Sequence, residues 1–107
     1  MTQRVAWEGG ALDVRVLAGW DERLVGLLGT DATAGPVLLV GCRSIHTLGM
    51  SYPIDVAFVD GAGRVALARR ALPPGRLLGC RAARHVLERP AEAGAWPEAG
   101  DVLVALR

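Results

Sequence analysis

One apolar run, followed at once by a glycine-containing turn, sets most of the limits on how this chain can fold. Residues 54–59 are apolar except for Asp55, a pattern typical of a strand that is buried on both faces. The sequence Asp60-Gly61-Ala62-Gly63 follows, and Asp-Gly sequences between apolar segments favour hairpin turns. Residues 64–70 then return as a second strand. The run therefore predicts an interior strand of an antiparallel β-sheet.

Further segments carry the alternating or apolar patterns of short strands. They are residues 3–8, 12–18, 37–40, 85–88 and 101–106. The Gly9-Gly10 pair between the first two segments suits a hairpin. Pro73-Pro74-Gly75 predicts a loop, and Pro90 is expected to stop the strand before it. The chain should therefore contain about seven short strands.

Residues 21–28 predict one short helix, because Leu24, Leu27 and Leu28 recur at helical spacing. Two acidic residues at its start suit the positive end of the helix dipole. A single further helical turn is expected at residues 91–95.

Together these elements predict a mainly β (α+β) fold. We expect a compact antiparallel β-sandwich or open barrel with one short helix near the N-terminus. At 107 residues the chain should form a single domain, residues 1–107. Apolar residues make up 51% and charged residues 21%, a composition typical of a folded globular domain.

Charge and hydropathy exclude several classes of partner. The net charge is +1, and the 12 basic residues, all arginine, are scattered along the chain, so no nucleic-acid partner is expected. No apolar run approaches the ~20 residues that cross a bilayer, and the N-terminus lacks the apolar segment of a secretory signal. We therefore expect a cytoplasmic protein with no membrane partner. In that compartment Cys42 and Cys80 should remain thiols.

The chain also carries four motifs in a fixed order. They are residues 22–28 (ERLVGLL), residues 45–55 (IHTLGMSYPID) with an Asp-Gly turn after them, residues 86–91 (VLERPA) and residues 100–101 (GD). In this order they resemble the domain-of-unknown-function family numbered 192, a group of small bacterial and archaeal proteins. The resemblance spans about residues 12 to 105.

The chain departs from the commonest form of the family at a few positions. His46, Thr47 and Gly49 stand where tryptophan, methionine and asparagine are usual, a His-Thr variant associated with one branch of the family. Arg89 replaces an apolar residue. The resemblance implies a mainly β single domain and no established activity, so it supplies no catalytic residue.

Asp55 is the most informative polar residue, because an unpaired carboxylate within an apolar strand costs several kcal/mol to bury. The structural interpretation is that it accepts hydrogen bonds from backbone amides or an arginine and holds residues 43–52. The functional interpretation is a carboxylate that binds a ligand or acts as a base. Glu88 has the same two interpretations, although it falls near a strand end, where glutamates are often solvated.

Cysteine and histidine offer two weaker alternatives. A thiolate activated by His46 would need Cys42 close by, but four residues along a strand span ~13 Å. A Cys2His2 zinc site would use Cys42, Cys80, His46 and His85, whose spacings do not match common ligand pairs. A disulfide between the two cysteines is a further alternative. We expect no metal, and no phosphate-binding or nucleotide-binding motif is present, so no cofactor is expected.

The sequence favours a small non-enzymatic β-domain that binds a polar small molecule or a peptide in a cleft. The candidate cleft residues are Arg43, His46, Asp55 and Glu88. The first alternative is an enzyme that uses His46 and Asp55 as an acid–base pair. The second is a structural or protein-interaction subunit without a ligand cleft. The oligomeric state does not follow from the sequence.

Overall fold

The structure, a computed structural model, describes residues 1–19 and 34–106. Within these ranges it contains strands and no helix. The strands are β1 (Thr2–Trp7), β2 (Gly10–Leu17), β3 (Val37–Val40), β4 (Ser44–His46), β5 (Ile54–Val59), β6 (Val65–Leu72), β7 (Leu77–Gly79), β8 (His85–Pro90) and β9 (Val104–Leu106). The mainly β prediction is confirmed, whereas the helix predicted over residues 21–28 lies outside the described residues.

Seven of these strands form one sheet, in the order β6-β5-β8-β3-β2-β1-β9. All neighbouring pairs are antiparallel except β2 and β3, which run parallel. Strand β5 lies between β6 and β8, so the predicted interior strand and its return after the Asp-Gly turn are confirmed. The predicted hairpin at Gly9-Gly10 also forms.

The large sheet buries both of its faces. The outer face carries one apolar cluster, made by Leu17, Val37, Leu39, Tyr52, Ile54, Val56, Phe58, Ala83 and Val86. The inner face carries a second, made by Val5, Val14, Ala57, Val59, Val65, Leu87 and Trp96. The inner cluster joins β1 and β2 to β5, β6 and β8, so the sheet is curved around it. Every residue of β5 is buried because successive side chains alternate between these two clusters.

Strands β4 and β7 form a separate two-stranded sheet that packs on the outer face. Ile45 and Leu78 lie opposite each other in this small sheet and contact the outer cluster. The sequence did not predict β7, since a three-residue strand has too few positions to show alternation.

Residues 101–106 contact both edges of the large sheet. Strand β9 pairs with β1, while Val102 forms an isolated bridge with Arg64, the residue just before β6. The amide of Leu103 also donates to the carbonyl of Gly63 at 2.7 Å. The isolated bridge between Val102 and Arg64 does not form a continuous ladder of paired residues, so the sheet does not close into a barrel.

Three details of the predicted elements need correction. The described residues contain nine strands where about seven were expected. Residues 91–95 form a bend and not a helical turn. The paired part of the last strand is shorter than 101–106, because its first residues bond to β6 and its last three to β1. None of the described residues forms a helix that could span a membrane.

The contact between Gly63 and Leu103 gives a testable prediction. Gly63 has a φ of 85°, and a Cβ at this position would lie 2.8 Å from the carbonyl oxygen of Leu103. Gly75 has a φ of 81° but has no atom within 4 Å of such a Cβ. We expect Gly63→Ala to lower the free energy of unfolding by about 1–3 kcal/mol more than Gly75→Ala, since only the first adds a clash to the backbone strain. Equal losses in urea unfolding would show that the contact with Leu103 contributes nothing.

Candidate functional site

Asp55 lies on the inner face of β5 and is 1% exposed. Its Oδ1 accepts a hydrogen bond from the amide of Ala71 at 2.9 Å, and its Oδ2 accepts one from Nε of Arg89 at 2.9 Å. A longer hydrogen bond of 3.4 Å comes from the amide of Glu92, and Nε of Arg70 lies 3.4 Å from Oδ1. The predicted partners, backbone amides and an arginine, are confirmed. Such pairing is what allows a carboxylate to be buried.

The segments that Asp55 holds are not the predicted residues 43–52. They are the ends of β6 and β8, through residues 71 and 92. At residue 71 the ladder between β5 and β6 contains a bulge, in which two residues of β6 lie opposite Asp55. Ala71 there has a φ of 52°, a conformation that non-glycine residues adopt rarely. The carboxylate therefore stabilises a strained bulge.

Arg89 completes this buried network. Its side chain is 4% exposed, and its Nη1 lies 3.1 Å from Oε1 of Glu92. The guanidinium lies over the ring of Trp96, 4.6 Å from the ring centroid, and the indole Nε1 donates to the carbonyl of Val56 at 3.2 Å. Arg89 was not among the candidate site residues. A signal was present, since the family resemblance marks Arg89 as a replacement of an apolar residue.

Glu88 lies on the outer face of β8, between Val37 of β3 and Val56 of β5. It is 5% exposed, and burial raises the pKa of its carboxyl group from 4.5 to about 7. Glu88 is not a solvated residue at a strand end, because β8 continues to Pro90 and its residues 86–90 are buried.

The Glu88 carboxylate has no hydrogen-bond partner within residues 1–19 and 34–106. Every side-chain nitrogen or oxygen of that part of the chain that is fully enclosed does have a partner. The carboxylate oxygens of Glu88 are therefore not fully enclosed, although the residue is only 5% exposed. An unpaired carboxylate in such a position is able to accept hydrogen bonds from a bound molecule.

The structure does not bring the four candidate residues into one cleft. Asp55 faces Arg89 on the inner side of the sheet, whereas Glu88, next to Arg89 in sequence, faces the outer side. His46 belongs to β4, in the small sheet over the outer face. The sheet therefore separates His46 from Asp55, and the two do not form the acid–base pair considered as an alternative.

Arg43 and His46 are both exposed on the segment that contains β4. Thr47, the next residue after His46, is fully buried. Its Oγ1 donates a hydrogen bond to the carbonyl of Pro73 at 2.8 Å and accepts one from the amide of Arg76 at 2.8 Å. The buried threonine fixes the segment, while Arg43 and His46 remain available at the surface. No local pattern in the sequence indicates that Thr47 is buried while its neighbours are exposed.

The cysteines are both free thiols and partly buried against the outer cluster. Sγ of Cys42 lies 3.0 Å from the carbonyl oxygen of Ser44, and Nδ1 of His85 accepts from the amide of Gly41 at 3.2 Å. Among the described residues, no group of three or more histidine, cysteine or acidic side chains could hold a metal ion.

Fold and site together define a class: a small, mainly β domain with an open seven-stranded sheet, one paired and one unpaired buried carboxylate. A family model described as "Uncharacterized ACR, COG1430" matches residues 2–99. The chain belongs to this family, DUF192, as its four motifs indicated. No curated protein matches the chain significantly.

Two solved structures share the fold. A protein of Sinorhizobium meliloti 1021, described as a candidate transcription regulator, has a TM-score of 0.80 and 19% sequence identity, covering 98% of this chain and 94% of that one. A protein of unknown function from Novosphingobium aromaticivorans DSM 12444 has a TM-score of 0.75 and 15% identity, covering 97% and 84%. At these identities the similarity establishes the fold and no activity.

Proposed function

We propose that the protein is a small non-enzymatic binding domain that holds a polar small molecule, with Glu88 as the anchoring group. The observation that carries this proposal is a carboxylate on a side chain that is only 5% exposed, with no hydrogen-bond partner in the described chain and with oxygens that are not fully enclosed. Buried polar groups in folded proteins are nearly always paired. A bound molecule that donates a hydrogen bond would supply the missing partner.

The surroundings of Glu88 limit the chemistry of the ligand. Val37 and Val56 flank the carboxylate in the neighbouring strands, so the ligand needs an apolar part beside its donor group. Ligand sites commonly combine an apolar wall with a few polar groups that fix orientation. Near neutral pH the carboxyl group is partly ionised, because burial raises its pKa to about 7. A primary amine on a short apolar body provides both the apolar part and a charged donor for the partly ionised carboxyl group. An alcohol provides the apolar part but only a neutral donor.

Calorimetry tests the proposal by measuring the affinity of the protein for two amines, butylamine and cyclohexylamine. The neutral counterparts are 1-butanol and cyclohexanol. We expect the amines to bind about tenfold more tightly at pH 8 than at pH 6, because the ionised fraction of Glu88 rises from about a tenth to about nine tenths across its pKa. Glu88→Gln should weaken amine binding at least about tenfold, since it removes a charged acceptor.

Glu8→Gln is the matched control, because Glu8 is exposed on the turn between β1 and β2 and the same substitution there should leave affinity unchanged. The proposal fails if none of the four compounds binds the wild-type protein. It also fails if the amines bind Glu88→Gln as tightly as the wild type, or with the same affinity at both pH values.

A further inference from the structure

A cavity of about 260 Å³ lies at the edge of the large sheet, beside β6. The residues of its wall that matter here are Ala68, Arg69, Arg70, Trp96, Pro97 and Glu98. The cavity borders the inner cluster through Ala68 and Trp96. Glu88 does not line it, so the cavity is distinct from the site proposed above.

Two consecutive arginines contribute to the wall of this cavity. Successive residues of a regular strand point to opposite faces, so Arg69 and Arg70 would not be expected to line the same space. They do so at the bulge, in which Arg70 and Ala71 both lie opposite Asp55 and the amide of Ala71 donates to the Asp55 carboxylate. Bulges often redirect side chains next to binding sites, and strained residues such as Ala71 often occur there.

The guanidinium of Arg70 is fixed in place while part of it stays available. Its Nε lies 3.4 Å from the Asp55 carboxylate, and one terminal nitrogen, Nη2, donates to the carbonyl of Glu92 at 2.7 Å. Its side chain is 48% exposed, and Nη1 has no hydrogen bond within the described residues. Arg69 is also exposed, and within residues 1–19 and 34–106 its guanidinium donates only to the adjacent carbonyl of Ala68, at 3.3 Å. Both groups retain donors for a bound anion.

The rest of the wall is mostly apolar and rigid. Trp96 and Pro97 are buried, and the indole is held both by its hydrogen bond to Val56 and by the guanidinium of Arg89. Glu98 also lines the cavity and is exposed. Its negative charge disfavours anions of high charge, such as phosphate and sulfate, relative to a single carboxylate.

We propose that this cavity binds a small monocarboxylate with an apolar body, its carboxylate on Arg69 and Arg70 and its body against Trp96 and Pro97. Arginine guanidinium groups match the planar geometry of a carboxylate and bind it through paired hydrogen bonds. The volume accommodates a single ring with a carboxyl group.

Benzoate is the probe that tests the proposal, titrated into the full chain and followed by two-dimensional NMR. We expect the largest shift changes at the Trp96 indole and at the amides of residues 67–70 and 98–99. Benzamide, the neutral counterpart, should bind at least about tenfold more weakly, and so should inorganic phosphate. Arg69→Gln should weaken benzoate binding by a similar factor. Arg81→Gln is the control, because Arg81 is exposed and does not line the cavity.

Each alternative result contradicts a defined part of the proposal. Equal affinity for benzoate and benzamide, or no loss in Arg69→Gln, would show that the arginines do not bind the carboxylate. Phosphate binding as tightly as benzoate would show that the apolar wall contributes nothing. Absence of any shift at Trp96 would show that the cavity is not a binding site.

Discussion

Asp55→Asn is expected to lower the free energy of unfolding by about 3–5 kcal/mol, a typical cost of removing one partner from a buried ion pair. The asparagine keeps the shape of the side chain but leaves Arg89, only 4% exposed, without its closest carboxylate. It also brings an amide group close to the backbone donors of residues 71 and 92, where an acceptor is needed. Urea unfolding at pH 7 measures the loss.

The same substitution at an exposed ion pair provides the control. Asp13 lies 3.1 Å from Arg4, but both side chains are more than half exposed, so Asp13→Asn should cost less than about 1 kcal/mol. His46→Ala should also have a small effect, because His46 is exposed on β4. If Asp55→Asn costs no more than these two variants, Asp55 does not stabilise the fold and its assignment as a structural residue is incorrect.

Glu88→Gln is expected to raise the free energy of unfolding at pH 8 by about 3 kcal/mol, the equivalent of a pKa raised from 4.5 to about 7. At pH 8 the wild-type protein must bury a charged carboxylate that has no partner in the described chain, and glutamine removes that charge. Well below pH 4.5, at about pH 3, the carboxyl group is neutral in both the folded and the unfolded state, so the two proteins should be about equally stable.

The sign of the pH dependence follows from proton binding. Between pH 4.5 and about 7 the folded wild-type protein binds more protons at Glu88 than the unfolded chain does, so this contribution to stability falls as the pH rises. Well above pH 7, where the carboxyl group is ionised in both states, this contribution no longer changes with pH. The difference in free energy of unfolding between Glu88→Gln and the wild type, measured at several pH values, isolates the contribution of Glu88 to the pH dependence. A difference that is constant from pH 4.5 to pH 8 would contradict a raised pKa of Glu88.

The parts of the fold that could be predicted are those with local signals. Glycine pairs and the Asp-Gly turn mark the hairpins β1–β2 and β5–β6, because both turns depend on residues adjacent in sequence. The lone acid in an apolar run indicated that Asp55 would be paired, because burying an isolated carboxylate is too costly.

The parts that could not be predicted depend on which strands are neighbours. The faces of Asp55 and Glu88 follow from the pairing of β5 with β8, in which Asp55 lies opposite Arg89 and Val56 opposite Glu88. A register shifted by one residue would reverse these assignments, and the sequence does not determine the register. The same limit applies to the parallel pairing of β2 with β3 and to the bulge that brings two arginines to one cavity.

Residues 101–106 contact both β1 and the start of the β6 region, and these contacts determine when folding can be completed. Leu106 pairs with Arg4 and Val102 with Arg64, so the segment joins parts of the chain that are synthesised at very different times. On the ribosome β1 can pair with β2 early, but its other edge has no partner until residue 106 has emerged. Pairings this distant in sequence slow folding. During that interval the open edge of β1 is the place where a nascent chain of this protein is most exposed to pairing with another chain.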